Sequence, residues 1–293
     1  MLPRFQEIMK RAQQQKKKRV VISGKRNPEA LSAILAARDQ GWIDPVAYGG
    51  PLSELRDKMD VHFVDSNTLQ ARQEALRLLE EGEAEALLDM GPLDSRFFSL
   101  LIESDAQNKK NHLLSYVSVF IAPKNGRLTL LTDTLINSAP GLNEKVHIVE
   151  NAIHVAKDLR IDRPNIAALG PLELVNPSIP STLDAAILSK MSERKQFGDS
   201  ILEGPLGLDN AESALAAQHK GIDSPVPGNV DIYLFPDLES ANITAQFLKY
   251  LGSCQLGGVL AGTKLPIIIR SPLESPDSWL LNIALGLIVN RGI

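Results

Sequence analysis

The sequence predicts an α/β protein built on mostly parallel sheets with helices on both faces. Two observations carry this. Short runs rich in branched apolar residues, such as Arg19-Val20-Val21-Ile22-Ser23, alternate with segments whose apolar residues recur at helical spacing, such as Leu31, Ile34, Leu35 and Ala37. Strands separated by helical crossovers lie parallel, and the crossovers cover both sheet faces. The 293 residues suffice for one large α/β domain or two of ordinary size.

Each element follows from local pattern. A helix over about residues 3–17 leads into the strand 19–23, a second helix, and a strand at Asp44–Tyr48 that exits through Gly49-Gly50. Helices are expected at 52–59, 68–81 and 95–103, with the strand Ala86-Leu87-Leu88-Asp89-Met90-Gly91 among them. Leu114–Ala122 and Arg127–Thr132 read as paired strands around Lys124-Asn125-Gly126. A second series begins near Asn137. Asn143 is placed to cap a helix carrying Val146, Val149, Ile153 and Ala156. Asn165–Leu169 is a strand, a helix starts at Ser181 or Thr182, and another spans 211–220 and stops at Gly221. Val230–Phe235 is a strand, 239–251 a helix, Pro266–Arg270 the last strand, and a final helix runs to about Asn290.

Composition excludes several classes. A net charge of -4 argues against a broad nucleic-acid footprint. The basic run Lys16-Lys17-Lys18-Arg19 reads as the solvated end of a helix. The single cysteine, Cys254, rules out an intrachain disulfide and fits a reducing cytoplasm; without a motif around it, it reads as core filler. The N-terminus lacks a signal-peptide core, and no run is long enough to span a bilayer, so no membrane partner is expected. The five histidines show no metal-ligand spacing, and no metal site is expected. No GxGxxG, Walker A or G-x-S-x-G sequence follows a strand.

Ligands of parallel sheets sit beyond the carboxyl ends of the strands. Four segments place polar residues there. Thr132-Asp133 with Asn137 ends a strand on a hydroxyl, a carboxylate and an amide; this set suits a polar ligand or a stabilised turn. In Glu203–Ala211, Gly204 and Gly207 allow close backbone approach beside Pro205, and Asp209 either caps the next helix or meets a ligand. Pro236-Asp237-Leu238-Glu239 with Asn242 opens a helix whose dipole suits the two carboxylates. In Arg270-Ser271-Pro272-Leu273-Glu274, Ser271 reads as an N-cap, Pro272 as the first helical residue and Glu274 as the capping-box acid. The same corner, a helix N-terminus beside an arginine, suits an anion.

The joint order of these segments resembles the phosphate acetyl- and butyryltransferase family. DTLINSAP (133–140), Lys145, Asn151-Ala152 and Ala156 form one block; Glu173, Val175-Asn176-Pro177 and Pro180–Ala186 a second. EGPLGLDNA (203–211), Ala216-Ala217, Lys220-Gly221 and Ser224-Pro225-Val226 form a third; Asp231, Pro236-Asp237 and Asn242 a fourth. DMGPLDSRFF (89–98) looks more like the butyryl branch.

The resemblance implies a two-domain fold, akin to isocitrate and isopropylmalate dehydrogenases, with the ligand cleft between domains. It places residues 1–137 and 262–293 in the first domain and 138–261 in an inserted second one. It implies exchange of CoA and phosphate on a short-chain acyl group, butyryl or branched. CoA and phosphate enter as substrates, without a metal, another cofactor or a covalent enzyme intermediate, in a cytoplasmic homodimer. Thr132, Asp133, Asn137, Gly204, Pro205, Asn242, Gly262 and Arg270 are then expected to bind CoA, phosphate or acyl phosphate. Asp209 and Glu274 are candidate general bases, and Ser271 orients the thiol.

The chain departs from the family pattern at several points. Pro272 stands where the family has the arginine that follows its serine, with Arg270 one position earlier. Met90 replaces a lysine of the butyryl branch, Tyr116 a histidine and Ala241 a glycine. Two alternatives follow: a catalytically weakened paralogue that binds CoA or acyl phosphate, or a metal-dependent decarboxylating dehydrogenase. The second would show clustered aspartates and several substrate-binding arginines, which the sequence lacks.

Overall fold

A computed structural model describes residues 3–24, 27–48, 60–62, 68–106, 113–275 and 278–289. The expected helix at 52–59 lies outside these residues. The chain divides into two compact units, Met1–Leu114 with Gly257–Ile293, and Ser115–Leu256. The division after Leu114, where residue 137 was the expected boundary, leaves the hairpin strands with the second unit.

The first unit contains α1 (Pro3–Gln13), β1 (Lys18–Ser23), α2 (Pro28–Asp39), β2 (Ile43–Tyr48), β3 (Asp60–His62), α3 (Thr68–Glu80), β4 (Ala86–Asp89) and α4 (Ser95–Ala106). After the second unit the chain returns through β10 (Leu256–Ala261), β11 (Ile267–Ile268) and α10 (Ser278–Ile288). Five of these strands form a parallel sheet in the order β11-β4-β1-β2-β3. The β1 and β4 core, Val20 to Ile22 and Ala86 to Leu88, is buried as a continuous apolar run, which a sheet covered on both faces requires. Helix α10 is apolar around its circumference and packs against α1 and α2. Helix α1 turns Phe5, Ile8 and Ala12 inward, one stripe at helical spacing. Asn27 starts α2 by accepting the Glu29 and Ala30 N–H groups at 3.0 Å, and Pro28 follows where no amide hydrogen is needed.

The second unit contains β5 (Ser115–Ile121), β6 (Leu128–Thr132), α5 (Leu142–Asp158), β7 (Asn165–Leu169), α6 (Pro180–Glu193), β8 (Ile201–Leu206), α7 (Leu208–Glu212), α8 (Ala214–His219), β9 (Ile232–Leu234) and α9 (Leu238–Tyr250). Its strands run β5-β6-β9-β7-β8. The β5–β6 pair is the expected antiparallel hairpin, with Ser118 opposite Leu131, and Gly126 takes a positive φ of 68° in its turn. The other pairs are parallel. Helix α5 covers β5, β6 and β9, α6 covers β7 and β8, and α9 packs on β6. Lys145 Nζ on α5 reaches Asp184 Oδ2 on α6 at 2.6 Å.

Several expectations are corrected. Helix α5 starts at Leu142 with Gly141 as its N-cap, so Asn143 lies inside it; the Gly141 N–H donates to Glu144 at 2.7 Å. The 211–220 helix is two short helices broken at Ser213, which is extended and caps α8 through the Ala216 N–H. Strands β3, β8 and β10 lacked a clear signal. In β8 the Gly204-Pro205 pair reads as a breaker, yet the strand pairs with β7 through a register shift between Ala167 and Leu169, where a missing amide hydrogen is tolerated. The last helix begins at Ser278, so Ser271 is not its N-cap and Pro272 is not its first residue.

Candidate functional site

The sequence-identified residues lie along the carboxyl edges of the two sheets. In the second unit, β6 ends at Thr132, and the peptide joining it to Asp133 is cis. Asp133 is buried and serves as the hub of its loop. Its Oδ1 accepts N–H groups of Tyr116 (3.1 Å), Leu135 (2.9 Å) and Ile136 (3.2 Å). Its Oδ2 accepts the Asn137 backbone N–H at 3.0 Å and the Asn137 Nδ2 at 2.6 Å. Burial pushes the Asp133 pKa up, and the donated bonds from Leu135, Tyr116 and Asn137 act against that shift. Asn242 on α9 donates to the Thr134 carbonyl at 3.4 Å and accepts from Gln246 at 2.8 Å. Asp133, Asn137 and Asn242 therefore shape the strand-end loop. Thr132 Oγ1 is different: it is fully buried and has no partner among the described residues.

Beyond β7 and β8, Lys220 lies between two carboxylates, 3.1 Å from Glu173 Oε2 and 3.3 Å from Asp209 Oδ2. Asp209 sits in the first turn of α7 and is exposed. A backbone hydrogen bond and the Lys220 ammonium hold the Glu173 carboxyl below its ordinary pKa. Asn210 is buried beside them, its Nδ2 3.5 Å from Glu173. Gly204 has no room for a side chain: a Cβ would stand 2.7 Å from Ala168 Cβ and 2.8 Å from its carbonyl oxygen. Its peptide to Pro205 is cis.

In the first unit, the carboxyl edge carries Ser23-Gly24 after β1, Met90-Gly91 after β4 and Arg270-Ser271 after β11. Ser271 is buried and opens a turn. Its Oγ accepts the Leu273 N–H at 3.2 Å, and its carbonyl accepts the Glu274 N–H at 3.1 Å. Pro272, with its fixed φ, suits the second position of that turn. Glu274 is buried, and its Oε2 accepts Asn282 Nδ2 at 2.5 Å. Arg270 pairs with Glu29 at 3.2 Å and lies over the Trp279 ring. Gly262 follows β10 with φ +83°, a conformation that side chains disfavour.

Sequence reading missed a charged cluster on this edge. Arg72 on α3 grips Asp89 with two bonds of 2.9 and 2.7 Å, while Ser23 Oγ and the Gly91 N–H donate to the same carboxylate. Burial works against the Arg72 charge, but the bonds to Asp89 outweigh it and its pKa rises. The signal was present in the paired strand ends Ser23 and Asp89, but nothing in the sequence placed Arg72 opposite them. Among the described residues no group of three His, Cys, Asp or Glu side chains is arranged to hold a metal ion. No helix among them is long and apolar enough to cross a membrane.

Mostly parallel sheets with polar loops at their carboxyl edges define an α/β protein of the class that binds ligands at those edges. A branched-chain phosphotransacylase from Enterococcus faecalis V583 superposes with a TM-score of 0.80 at 28% identity, covering 94% of this chain and 100% of that one. A phosphotransacetylase from Streptococcus pyogenes shares the fold, with a TM-score of 0.79 at 19% identity and 98% of each chain covered. The family model described as phosphate acetyl/butaryl transferase matches residues 58–285, and the chain belongs to that family. It is 33% identical to the phosphate butyryltransferase of Clostridium acetobutylicum over 99% of both chains.

Proposed function

We propose that the protein transfers a short-chain acyl group, butyryl or branched, between CoA and phosphate: acyl-CoA and phosphate exchange with acyl phosphate and CoA. The observation that carries this reading is similarity to a phosphate butyryltransferase, 33% identical over 99% of the chain. The carboxyl-edge placement of the motif residues supports it, because that is where parallel sheets bind ligands.

In the direction that consumes acyl phosphate, the CoA thiol is largely protonated at neutral pH and has to lose its proton. The thiolate attacks the acyl carbonyl, a tetrahedral oxyanion forms, and its collapse expels phosphate while the thioester bond remains. No covalent enzyme intermediate, metal or further cofactor enters this scheme. Ser271 orients the thiol. Of the two candidate bases, Glu274 is buried, whereas Asp209 is exposed and paired with Lys220. Glu274 therefore suits the proton transfer better, because it is shielded from water and oriented by Asn282, whereas Asp209 is engaged by a cation at the surface. The unpartnered Thr132 hydroxyl is a donor suited to a polar ligand group. Orientation of the two substrates supplies much of the remaining acceleration.

The same reading makes the protein a cytoplasmic homodimer. Ile243, Phe247 and Tyr250 are exposed along one side of α9, followed by Leu251, and an apolar stripe of this kind suits a partner surface. Sedimentation of the pure protein at twice the chain mass supports the dimer; sedimentation as a monomer at micromolar concentration removes it. The activity is tested by incubating pure protein with butyryl-CoA and phosphate and following free thiol. Phosphate-dependent CoA release is expected, and it falls at least tenfold in Ser271→Ala. Absence of release from acetyl-, butyryl- and isobutyryl-CoA overturns the proposal.

A further inference from the structure

One buried amide on α10 holds together the pieces that carry Ser271 and Glu274. Asn282 is buried within the first unit. Its Oδ1 accepts the Gly258 N–H on β10 at 2.9 Å. Its Nδ2 donates to the Ile269 carbonyl, the residue before Arg270-Ser271, at 3.1 Å, and to Glu274 Oε2 at 2.5 Å. An amide has one acceptor and two donor hydrogens, and the three groups around Asn282 are one N–H, one carbonyl and one carboxylate. Only one orientation of the side chain satisfies all three, and only an amide of this length does so from this position.

The backbone contacts fix the helix as tightly as the hydrogen bonds fix the side chain. A Cβ on Gly257 would stand 2.6 Å from Leu281 Cδ2 and 3.1 Å from Asn282 Oδ1. A Cβ on Gly286 would stand 2.5 Å from Ile268 Cγ1. Helix α10 thus sits against β10 and β11 with no clearance at either glycine, and Asn282 has no slack to move away from Glu274.

We propose that Asn282 is a positioning residue for acyl transfer: its amide holds the Glu274 carboxyl in place and fixes the Ile269–Glu274 turn that presents Ser271. The inference rests on the reading that this corner takes part in the reaction. The donated N–H gives the buried Glu274 carboxyl a partner and fixes its orientation. The residue acts through Glu274 and Ser271 and touches neither substrate in this scheme.

The test compares Asn282→Asp and Asn282→Ser with Ser271→Ala and Glu274→Gln, measuring kcat, KM and the pH profile of each beside its thermal midpoint. A carboxylate at 282 places like charge against Glu274, so the pair retains a proton, and the acid limb of kcat moves up by about 1 pH unit. Asn282→Ser is too short to span the three partners; kcat falls about tenfold with KM changed less than twofold. Loss of turnover in Ser271→Ala and Glu274→Gln, together with an unmoved pH profile and kcat in both folded Asn282 variants, overturns the inference and leaves the reaction reading standing. Full turnover in Ser271→Ala and Glu274→Gln overturns both. If the variants fail to fold, the wild-type protein decides: the Asn282 side-chain amide resonance is expected to shift across the acid limb of activity, and a resonance constant across that limb overturns the proposal.

Discussion

The Arg270 guanidinium lies 3.2 Å from Glu29 Oε2 and 5.5 Å from the centroid of the Trp279 ring. The arginine nearest to position 272 is therefore held by a carboxylate and an aromatic face. That carboxylate is about half exposed, at 47%. An ion pair of this kind, with one partner half exposed, contributes little to stability.

Restoring an arginine at position 272 tests how far Arg270 serves the anion. Pro272→Arg is expected to raise kcat/KM for phosphate about tenfold, in line with one added charge-assisted hydrogen bond. Steady-state kinetics at varied phosphate check this. An unchanged value in a folded variant means that phosphate binding does not lack this arginine.

Asp133→Ala strips the acceptor from four backbone N–H groups and one side-chain amide. Unsatisfied buried donors are costly, and a loss of about 3 kcal/mol or more is expected in urea unfolding. A loss under about 1 kcal/mol would show that the loop re-forms around water.

Gly204→Ala drives a methyl group into Ala168 on the neighbouring strand. The expected cost is about 1–3 kcal/mol from overpacking. KM for phosphate stays within about twofold if the glycine serves packing alone, and a large rise in KM for either substrate gives Gly204 a binding role as well.

Tyr233 donates a hydrogen bond to Glu212, and burial, then that bond, pushes its pKa well above the ordinary value. The folded value exceeds the unfolded one, so the stabilisation is complete below about pH 10 and is lost as pH rises beyond it. Between pH 8 and 10.5 the thermal midpoint of the wild type therefore falls more steeply than that of Tyr233→Phe. Equal slopes would contradict the assignment.

Much of the architecture was legible because the core strands and long helices carry strong period and composition. The runs around Val20-Val21-Ile22, Ala86-Leu87-Leu88 and Asn165–Leu169 are buried strands, and Gly126 and Gly221 mark the turns that they punctuate. Short elements defeated the pattern. Strand β8 contains Gly204-Pro205, a local breaker overridden by pairing with β7, and the break at Ser213 divides a continuous helical pattern. At Arg270–Glu274 the sequence spells a capping box with a proline at the first helical position. Yet Ser271 opens a turn, α10 starts at Ser278, and Glu274 meets Asn282 eight residues on. Local capping rules cannot anticipate that tertiary partner. The same limit hid Arg72, whose placement against Asp89 depends on packing between α3 and β4.

The most direct test of the account follows the phosphorus. Pure protein is incubated with butyryl-CoA and inorganic phosphate, and the products are read by phosphorus-31 NMR alongside free thiol. The account predicts one acyl phosphate for each CoA released, with both signals absent when phosphate is omitted. CoA release without acyl phosphate would show hydrolysis of the thioester and contradict transfer to phosphate.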